Sequence, residues 1–244
     1  MRIIYGINPV LEAIRAGKEI EKILVPREKA GSGAEGIIRA ARDKGVPLER
    51  VGRGEIEGLA PGRNHQGVVA VLKGVFRYSD LEGLITAWKG SGGLALFLIL
   101  DSLEDPQNLG SLVRAAEAAG AHGVIIPKDR ACEVTPAVTK ASAGATEHVL
   151  IARETNLTRT IERLKDEGVW VAAIEGGCPD VLYKADLKRD IALVIGSEGK
   201  GIRRLLRENS DMCLSIPMAG RINSLNAAQA GAIALFEVKR QRGL

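Results

Sequence analysis

The sequence is poor in the residues that staple small proteins together or hold metals. Three cysteines, Cys132, Cys178 and Cys213, stand far apart with no C-x-x-C pair, and there are only three histidines in 244 residues. That pattern argues against a disulfide framework and against a structural zinc site, so the cysteines read as core or loop thiols and no metal is expected. No stretch approaches the roughly 18 apolar residues that span a bilayer. Met1 to Ile20 also lacks a signal-peptide core, so the expected location is the cytoplasm, away from membrane. Internal repeats and low-complexity segments are absent as well.

What remains is the composition of a globular protein, with 45% hydrophobic residues and a mean hydropathy of +0.03. The length allows a substantial core and suggests one large or two modest domains. The formal charge is +4, and residues 1–75 carry all of it: 13 Lys/Arg against 9 Asp/Glu there, 21 of each in residues 76–244. A surplus confined to one segment points to phosphate as its partner, though a solvated surface has the same composition.

Periodicity then divides the chain. Asn8 caps a helix with Pro9 at its first position and an apolar face of Val10, Leu11 and Ile14, ending at Gly17. A strand at Lys22–Pro26 follows, then a helix from about Ala34 to Lys44, a short strand at Pro47–Val51, a turn-rich stretch, and a strand at Val68–Leu72. This makes a small α/β unit over residues 1–75, with Arg15 and Arg63 among its surface cations. His65 reads as a turn residue, or with Gln66 as a reader of an RNA base edge or sugar. Residues 76–93 read as a linker with a short helix capped at Ser79-Asp-Leu-Glu82 and a flexible Gly90-Ser-Gly-Gly93 end. From 94 to 244, strands at Leu94–Leu100, Val124–Pro127, His148–Ala152, Val169–Ile174 and Ile191–Gly196 alternate with helices, which predicts a mostly parallel sheet.

The stretch from Ile191 to Glu237 organises the rest. Ile191 to Ile195 is an unbroken apolar run closed by Gly196, and Leu214 to Pro217 repeats the design before Gly220. From Ser224 the period changes to that of a helix reaching about Arg242, with Ser224 or Asn226 as its cap. Two strand ends and a helix start therefore converge, where α/β sheets bind ligands. The small residues Ala227, Ala228, Ala230 and Gly231 leave room for a flat ligand or for tight packing on a sheet. Gly196-Ser-Glu-Gly-Lys-Gly201 fits neither a phosphate loop, a nucleophile elbow nor a dinucleotide fingerprint. It is a turn that exposes backbone N–H groups and Glu198. Asn108 and Arg114 flank Gly110, read as a turn that opens a helix with Arg114 on its first or second turn; a lone arginine there is ordinarily a surface ion pair.

The three segments together change that reading. D-P-Q-N-L-G-S-L-V-R-A-A-E-A-A-G from Asp105, V-I-G-S-E-G-K-G from Val194 and I-P-M-A-G followed by S-L-N from Ser224 resemble the three signature motifs of the SpoU (TrmH) family of RNA 2′-O-ribose methyltransferases. T-K-A-S-A-G-A from Thr139 matches a fourth, softer block. Residues 1–75, with Y-G-I-N-P-V-L-E-A-I and N-H-Q-G-V-V-A, resemble the ribosomal-protein-like RNA-binding domain of members that methylate a guanosine of 23S rRNA.

The resemblance implies an α/β methyltransferase domain with a deep trefoil knot over residues 94–244, S-adenosylmethionine as cofactor, and a homodimer with its active site near the interface. By position in the motifs, Gly196, Ile216 and Leu225 line the cofactor, with Ser142, Ala143, Gly144 and Gly176 nearby. Arg114 faces the ribose hydroxyl. A guanidinium stays protonated in proteins and is a poor base, so Arg114 is expected to stabilise the developing alkoxide while phosphate or water takes the proton. Asn108 and Glu198 orient Arg114 or the nucleotide, and Ser224 and Asn226 shape the loop. Ala228 stands where the family usually has serine, a loss of one hydrogen bond worth roughly 0.5 to 1.5 kcal/mol. The alternatives are the same chemistry on tRNA or another rRNA nucleotide, or a non-catalytic RNA-binding or ribosome-assembly factor. The joint presence of Asn108, Arg114, Glu198 and Asn226 argues against the last.

Overall fold

The computed structural model describes residues 1–27 and 32–243. In chain order the elements begin β1 (Arg2–Tyr5), α1 (Ile7–Arg15), β2 (Ile20–Pro26), α2 (Ser32–Asp43), β3 (Leu48–Val51), α3 (Arg53–Leu59) and β4 (Val69–Leu72). They continue α4 (Leu81–Ser91), β5 (Leu96–Asp101), α5 (Pro106–Ala118), β6 (Gly123–Pro127), α6 (Pro136–Ala141), β7 (Ile151–Glu154) and α7 (Leu157–Asp166). The last are β8 (Trp170–Ile174), β9 (Asp180–Val181), β10 (Ile191–Gly196), α8 (Arg204–Asn209), β11 (Met212–Ser215) and α9 (Ala227–Gln241). They pack as two compact units, Met1–Arg77 with Val134–His148, and Tyr78–Glu133 with Val149–Leu244.

The smaller unit is built on a sheet ordered β1-β4-β2-β3, antiparallel except for β2 with β3. All four residues of β4 are buried because both faces are covered. Val10 and Ile14 of α1 and Ile37 of α2 close one face, and Ile56 of α3 closes the other against Leu24 and Val69. Strand β1 and helix α3 have no counterpart in the sequence reading; R-G-E-I-E-G-L offers a single buried apolar position, Ile56. Helix α1 starts earlier than predicted. Gly6, at φ 97°, precedes it, so Pro9 is its third residue, and Gln66 Oε1 rather than Asn8 accepts from the first helical amide, Ile7 N, at 3.3 Å.

Residues 134–148 complete this unit. Thr135 caps α6 by accepting from Val138 N at 3.3 Å, and Pro136 takes the first turn. Behind it, Gly144 lies on α1 so closely that a Cβ would sit 2.7 Å from Glu12 Cβ and 3.0 Å from Pro9 Cα. Arg2 grips the fully buried Glu147 side chain through both terminal guanidinium nitrogens, Nη1 at 3.0 Å from Oε2, and Thr146 Oγ1 donates to Glu147 Oε1 at 3.1 Å. His148 Nε2 meets Glu12 Oε2 at 2.8 Å. Lys140 Nζ donates to Gln66 Oε1, and burial pushes its ammonium pKa down.

The larger unit has a seven-stranded sheet ordered β7-β6-β5-β10-β8-β11-β9, with every strand pair in it parallel. The central strands β5 and β10 are buried at all six positions, as the unbroken apolar runs require. Helix α4, expected within a linker, instead packs Leu84, Ile85 and Trp88 into this core beside Phe97. Its cap is Asp80, which accepts from Gly83 N at 2.8 Å, not Ser79. Helices α5 and α9 meet at Gly231, where a Cβ would lie 2.3 Å from Leu112 Cδ2. No described helix is long and apolar enough to cross a membrane.

The cysteine reading requires correction. Cys178 and Cys213 are joined in a disulfide with their Cα atoms 5.3 Å apart, while Cys132 is free and its thiol pKa is raised by burial. Thirty-five residues separate the pair in sequence, but β11 runs parallel to β8 with Cys213 opposite Ala173, and the segment leaving β8 carries Cys178 back to it. Linear spacing conceals such a contact.

Candidate functional site

Because the strands of the larger unit run parallel, their carboxyl ends share one edge. There β5 and β10 finish in register, Asp101 opposite Gly196. The segment after β10 folds back at once, with Ser197 N to Gly201 O at 3.2 Å and Gly201 N to Ser197 O at 2.9 Å. Only glycine permits this. A Cβ on Gly196 would fall 2.2 Å from the carbonyl carbon of Gly201. The fold-back presents Glu198 at its tip.

Glu198 meets two amides from distant parts of the chain. Asn108 Nδ2 donates to Glu198 Oε1 at 2.8 Å. Asn226 Nδ2 donates to the same oxygen and to Asn108 Oδ1, the latter at 2.9 Å. Asn226 also caps α9, its Oδ1 accepting from Ala228 N at 2.8 Å and Gln229 N at 3.2 Å. Of the two caps predicted, the structure selects Asn226, and the cap is complete without a hydroxyl at position 228.

Beside this network lies a cleft bounded by the ends of β8 and β10, residues 216–225 and the start of α9. Gly176, Gly196, Ile216, Ser224 and Leu225 line it, together with Glu198. Its other walls are mostly apolar, including Ile174, Ile195 and Ala230. Ser142, Ala143 and Gly144 are not among the lining residues. They lie in the smaller unit, where Ser142 Oγ donates to Thr139 O at 3.0 Å and Gly144 presses on α1.

Arg114 requires a second correction. Helix α5 begins at Pro106, capped by Asp105 Oδ1 accepting from Gln107 N at 3.1 Å, so Gly110 is a buried helical residue and not a turn. Arg114 therefore stands on the third turn, about 9 Å beyond Asn108 along the axis and about 120° around it. It is exposed, lines neither the cleft nor its surroundings, and has no side-chain partner among the described residues.

Of the RNA-contact candidates, Arg15 pairs with Glu12 at 2.6 Å, and Arg63 is exposed with no side-chain partner among the described residues. Both His65 ring nitrogens are engaged: Nδ1 accepts from Gly67 N at 3.0 Å, and Nε2 faces Glu57 Oε2 at 3.1 Å. Hydrogen bonds from the Gly62 amide and from His65 hold the Glu57 pKa down. Gln66, at φ 54°, turns its carbonyl inward to Ile7 and Lys140.

Two carboxylates that sequence reasoning passed over hold the site together. Asp101, fully buried at the end of β5, accepts from Arg203 N and Arg203 Nε, both at 2.7 Å, and from Ser102 Oγ at 3.0 Å. Glu175, just past β8, accepts from Ile202 N at 3.1 Å and Arg207 Nη1 at 3.1 Å. Both are the first acid after a wholly apolar strand, and that is the signal available in the sequence.

Comparison with known proteins agrees with this geometry. The pattern of the SpoU rRNA Methylase family matches residues 95–236, and that of an RNA 2′-O ribose methyltransferase substrate-binding domain matches residues 3–77. YacO of Bacillus subtilis, assigned to the TrmH family of tRNA/rRNA methyltransferases, is 40% identical over 239 residues, spanning 98% of this chain and 95% of its own. A Staphylococcus aureus relative assigned to the same family is 41% identical over 240 residues, with 98% and 96% covered. Among solved structures, the SpoU methyltransferase AviRb of Streptomyces viridochromogenes, in complex with AdoMet, superposes with a TM-score of 0.80 at 25% identity over 98% of this chain and 89% of that one. An AdoMet-bound rRNA methyltransferase of Sinorhizobium meliloti gives 0.77 at 27% identity, with 98% and 87% covered. Motifs, fold and strand-end site thus lead to one conclusion: the chain belongs to the SpoU rRNA methylase family.

Proposed function

We propose that the protein transfers a methyl group from S-adenosylmethionine to the ribose 2′-hydroxyl of one nucleotide in structured RNA, a guanosine of 23S rRNA being the first target to test. The observation that carries the reading is the convergence of Asn108, Glu198 and Asn226 from three separate motifs beside an apolar cleft at the strand ends.

The cleft suits the cofactor. Ile195, Ile216 and Leu225 offer apolar faces to a flat purine, and Gly176 adds a side-chain-free stretch of wall. When bound, S-adenosylmethionine supplies an already activated methyl group on its sulfonium, so the protein has chiefly to position and to stabilise charge. Asn108, Glu198 and Asn226 hold one another and so fix the fold-back segment against α5 and α9. Ser224, exposed and lining the cleft, shapes its rim. Arg114 stabilises the developing alkoxide, and the proton leaves to water or phosphate. A guanidinium without a partner among the described residues is available for this in a homodimer whose active site lies near the interface; Phe236, 46% exposed on the neighbouring α9, supports such a surface. The trefoil threading of the family and an RNA-selecting role for residues 1–75 belong to the same reading.

The test maps 2′-O-methylation, as resistance to alkaline cleavage, in unmodified rRNA and tRNA transcripts incubated with the protein and S-adenosylmethionine. One methylated ribose is expected. Arg114→Ala is expected to retain cofactor affinity and lose about 10² to 10³ in rate, the range for one electrostatic donor. Unchanged turnover removes Arg114 from the chemistry, and no methylation of any RNA refutes the function.

A further inference from the structure

A second cleft, of about 480 Å³, lies on the other side of the fold-back segment. It shares Ser197, Glu198 and Gly201 with the cofactor cleft but opens toward the residues that follow β5 and β6. Three cations line it: Arg130, Lys200 and Arg203. Arg203 is fixed by the buried Asp101, which takes its Nε and its backbone amide and leaves both terminal nitrogens without a partner among the described residues. Arg130 and Lys200 are exposed and likewise unpaired among the described residues.

The backbone contributes too. Ser102 and Arg130 are held at φ 60° and φ 56°, a conformation that side chains rarely adopt and that concentrates at sites of function. Three carboxylates face the same cleft, Glu104, Asp105 and Glu198. Asp105 is committed to capping α5 and Glu198 to the two asparagine amides. Glu104 has no partner among the described residues, and Asp105 and Glu198 each keep one carboxylate oxygen open, so three cations face three carboxylates. The N–H groups of Arg130, Lys200 and the terminal nitrogens of Arg203 still outnumber the carboxylate oxygens left open.

The substrate explains why donors are needed there. A ribose presenting its 2′-hydroxyl carries a phosphodiester on the adjacent 3′ carbon, so an anion arrives within one sugar of the methyl group. Resting on the reading of the neighbouring cleft as the methyl-transfer site, we infer that Arg130, Lys200 and the terminal nitrogens of Arg203 bind the RNA phosphodiester beside the target ribose. These contacts position the strand and carry no base information.

The experiment measures filter binding of unmodified rRNA and tRNA transcripts to the full chain from about 50 to 200 mM salt, for wild type, the double variant Arg130→Met/Lys200→Met, and Lys200→Arg. Each neutralised phosphate contributes about 0.7 to 0.9 to the slope of log affinity against log salt, and one phosphodiester is at stake, so the double variant is expected to lose up to about 0.9. Lys200→Arg retains the wild-type slope. Calorimetry with S-adenosylmethionine checks that the fold and the cofactor cleft are intact. RNA bound by wild type and double variant with equal slopes overturns the phosphate site and leaves the functional reading standing. Loss of cofactor affinity in the double variant also overturns it, because Lys200 would then belong to the cofactor wall. Failure of the wild type to bind any of the RNAs overturns both.

Discussion

Asn226→Asp separates the two tasks that Asn226 performs. The aspartate retains the oxygen that accepts from Ala228 N and Gln229 N, and asparagine and aspartate are equally good caps. Its charge at the helix N-terminus adds about 0.3 to 1 kcal/mol. What disappears is the amide donor to Asn108 Oδ1 and Glu198 Oε1. A hydrogen bond to a charged group is worth about 1.5 to 3 kcal/mol, and both residues are exposed, which favours the lower figure. Two carboxylates about 4 Å apart then repel by about 1 kcal/mol in water and about 4 near a protein surface. The net loss is about 2 to 3 kcal/mol, a fall in Tm of about 5 to 10 °C for a chain of this size. Asn226→Ala loses the cap, about 1 kcal/mol, and the amide, but brings no repulsion. Ala thus loses about 2.5 kcal/mol, so thermal melts should place the two variants close together, while single-turnover methyl transfer at saturating cofactor should rank wild type above Ala and Ala above Asp, because only Asp repels Glu198. The Asp variant should be about a hundredfold slow, equivalent to about 2.7 kcal/mol of barrier. An Asp variant more active than the Ala variant would mean that Asn226 matters as a cap alone.

Gly196→Ala should weaken S-adenosylmethionine binding by about tenfold or more in calorimetry, since overpacking costs about 1 to 3 kcal/mol and the added carbon meets Gly201 backbone; wild-type affinity would show that the fold-back segment moves freely. Arg2→Met strands the buried Glu147 carboxylate and should cost about 3 to 5 kcal/mol in urea unfolding, the range for half of a broken buried pair. A loss below about 1 kcal/mol would place that pair among exposed ones. His122 has its pKa lowered by burial and then by the Arg242 charge, so the unfolded chain binds more protons below its ordinary value of about 6.5. Stability is thus complete above that pH and is lost as pH falls through 6.5 toward the folded value. His122→Gln should flatten that part of the stability profile, and an unchanged slope would assign it elsewhere.

Much of the larger unit was legible because its strands carry a strong signal. L-F-L-I-L-D and I-A-L-V-I-G admit little but doubly covered strands, and both appear as such. The two helix starts failed for different reasons. Gln66 starts α1 from 59 residues away, whereas α5 is capped locally by Asp105 just before Pro106, and Gly110, a buried helical residue, had suggested a turn that is not there. The same holds at the site. Glycines and asparagines of the motifs could be picked out, whereas Asp101 and Glu175 matter through partners about a hundred and about thirty residues downstream. The Cys178–Cys213 contact is likewise a product of strand order, which spacing along the chain does not encode.

The seating of residues 134–148 on α1 and β1 bears on how this protein can be dissected or recombined. Cutting at residue 77 would strip Arg2, Glu12 and Gln66 from Glu147, His148 and Lys140, and a buried carboxylate would lose its counterion inside the retained fragment. A chimera that exchanges the first 77 residues for those of a relative inherits the same obligation and must bring its own matching loop. Substrate choice in this chain is therefore better probed by single surface replacements, such as Arg63→Ala, than by truncation.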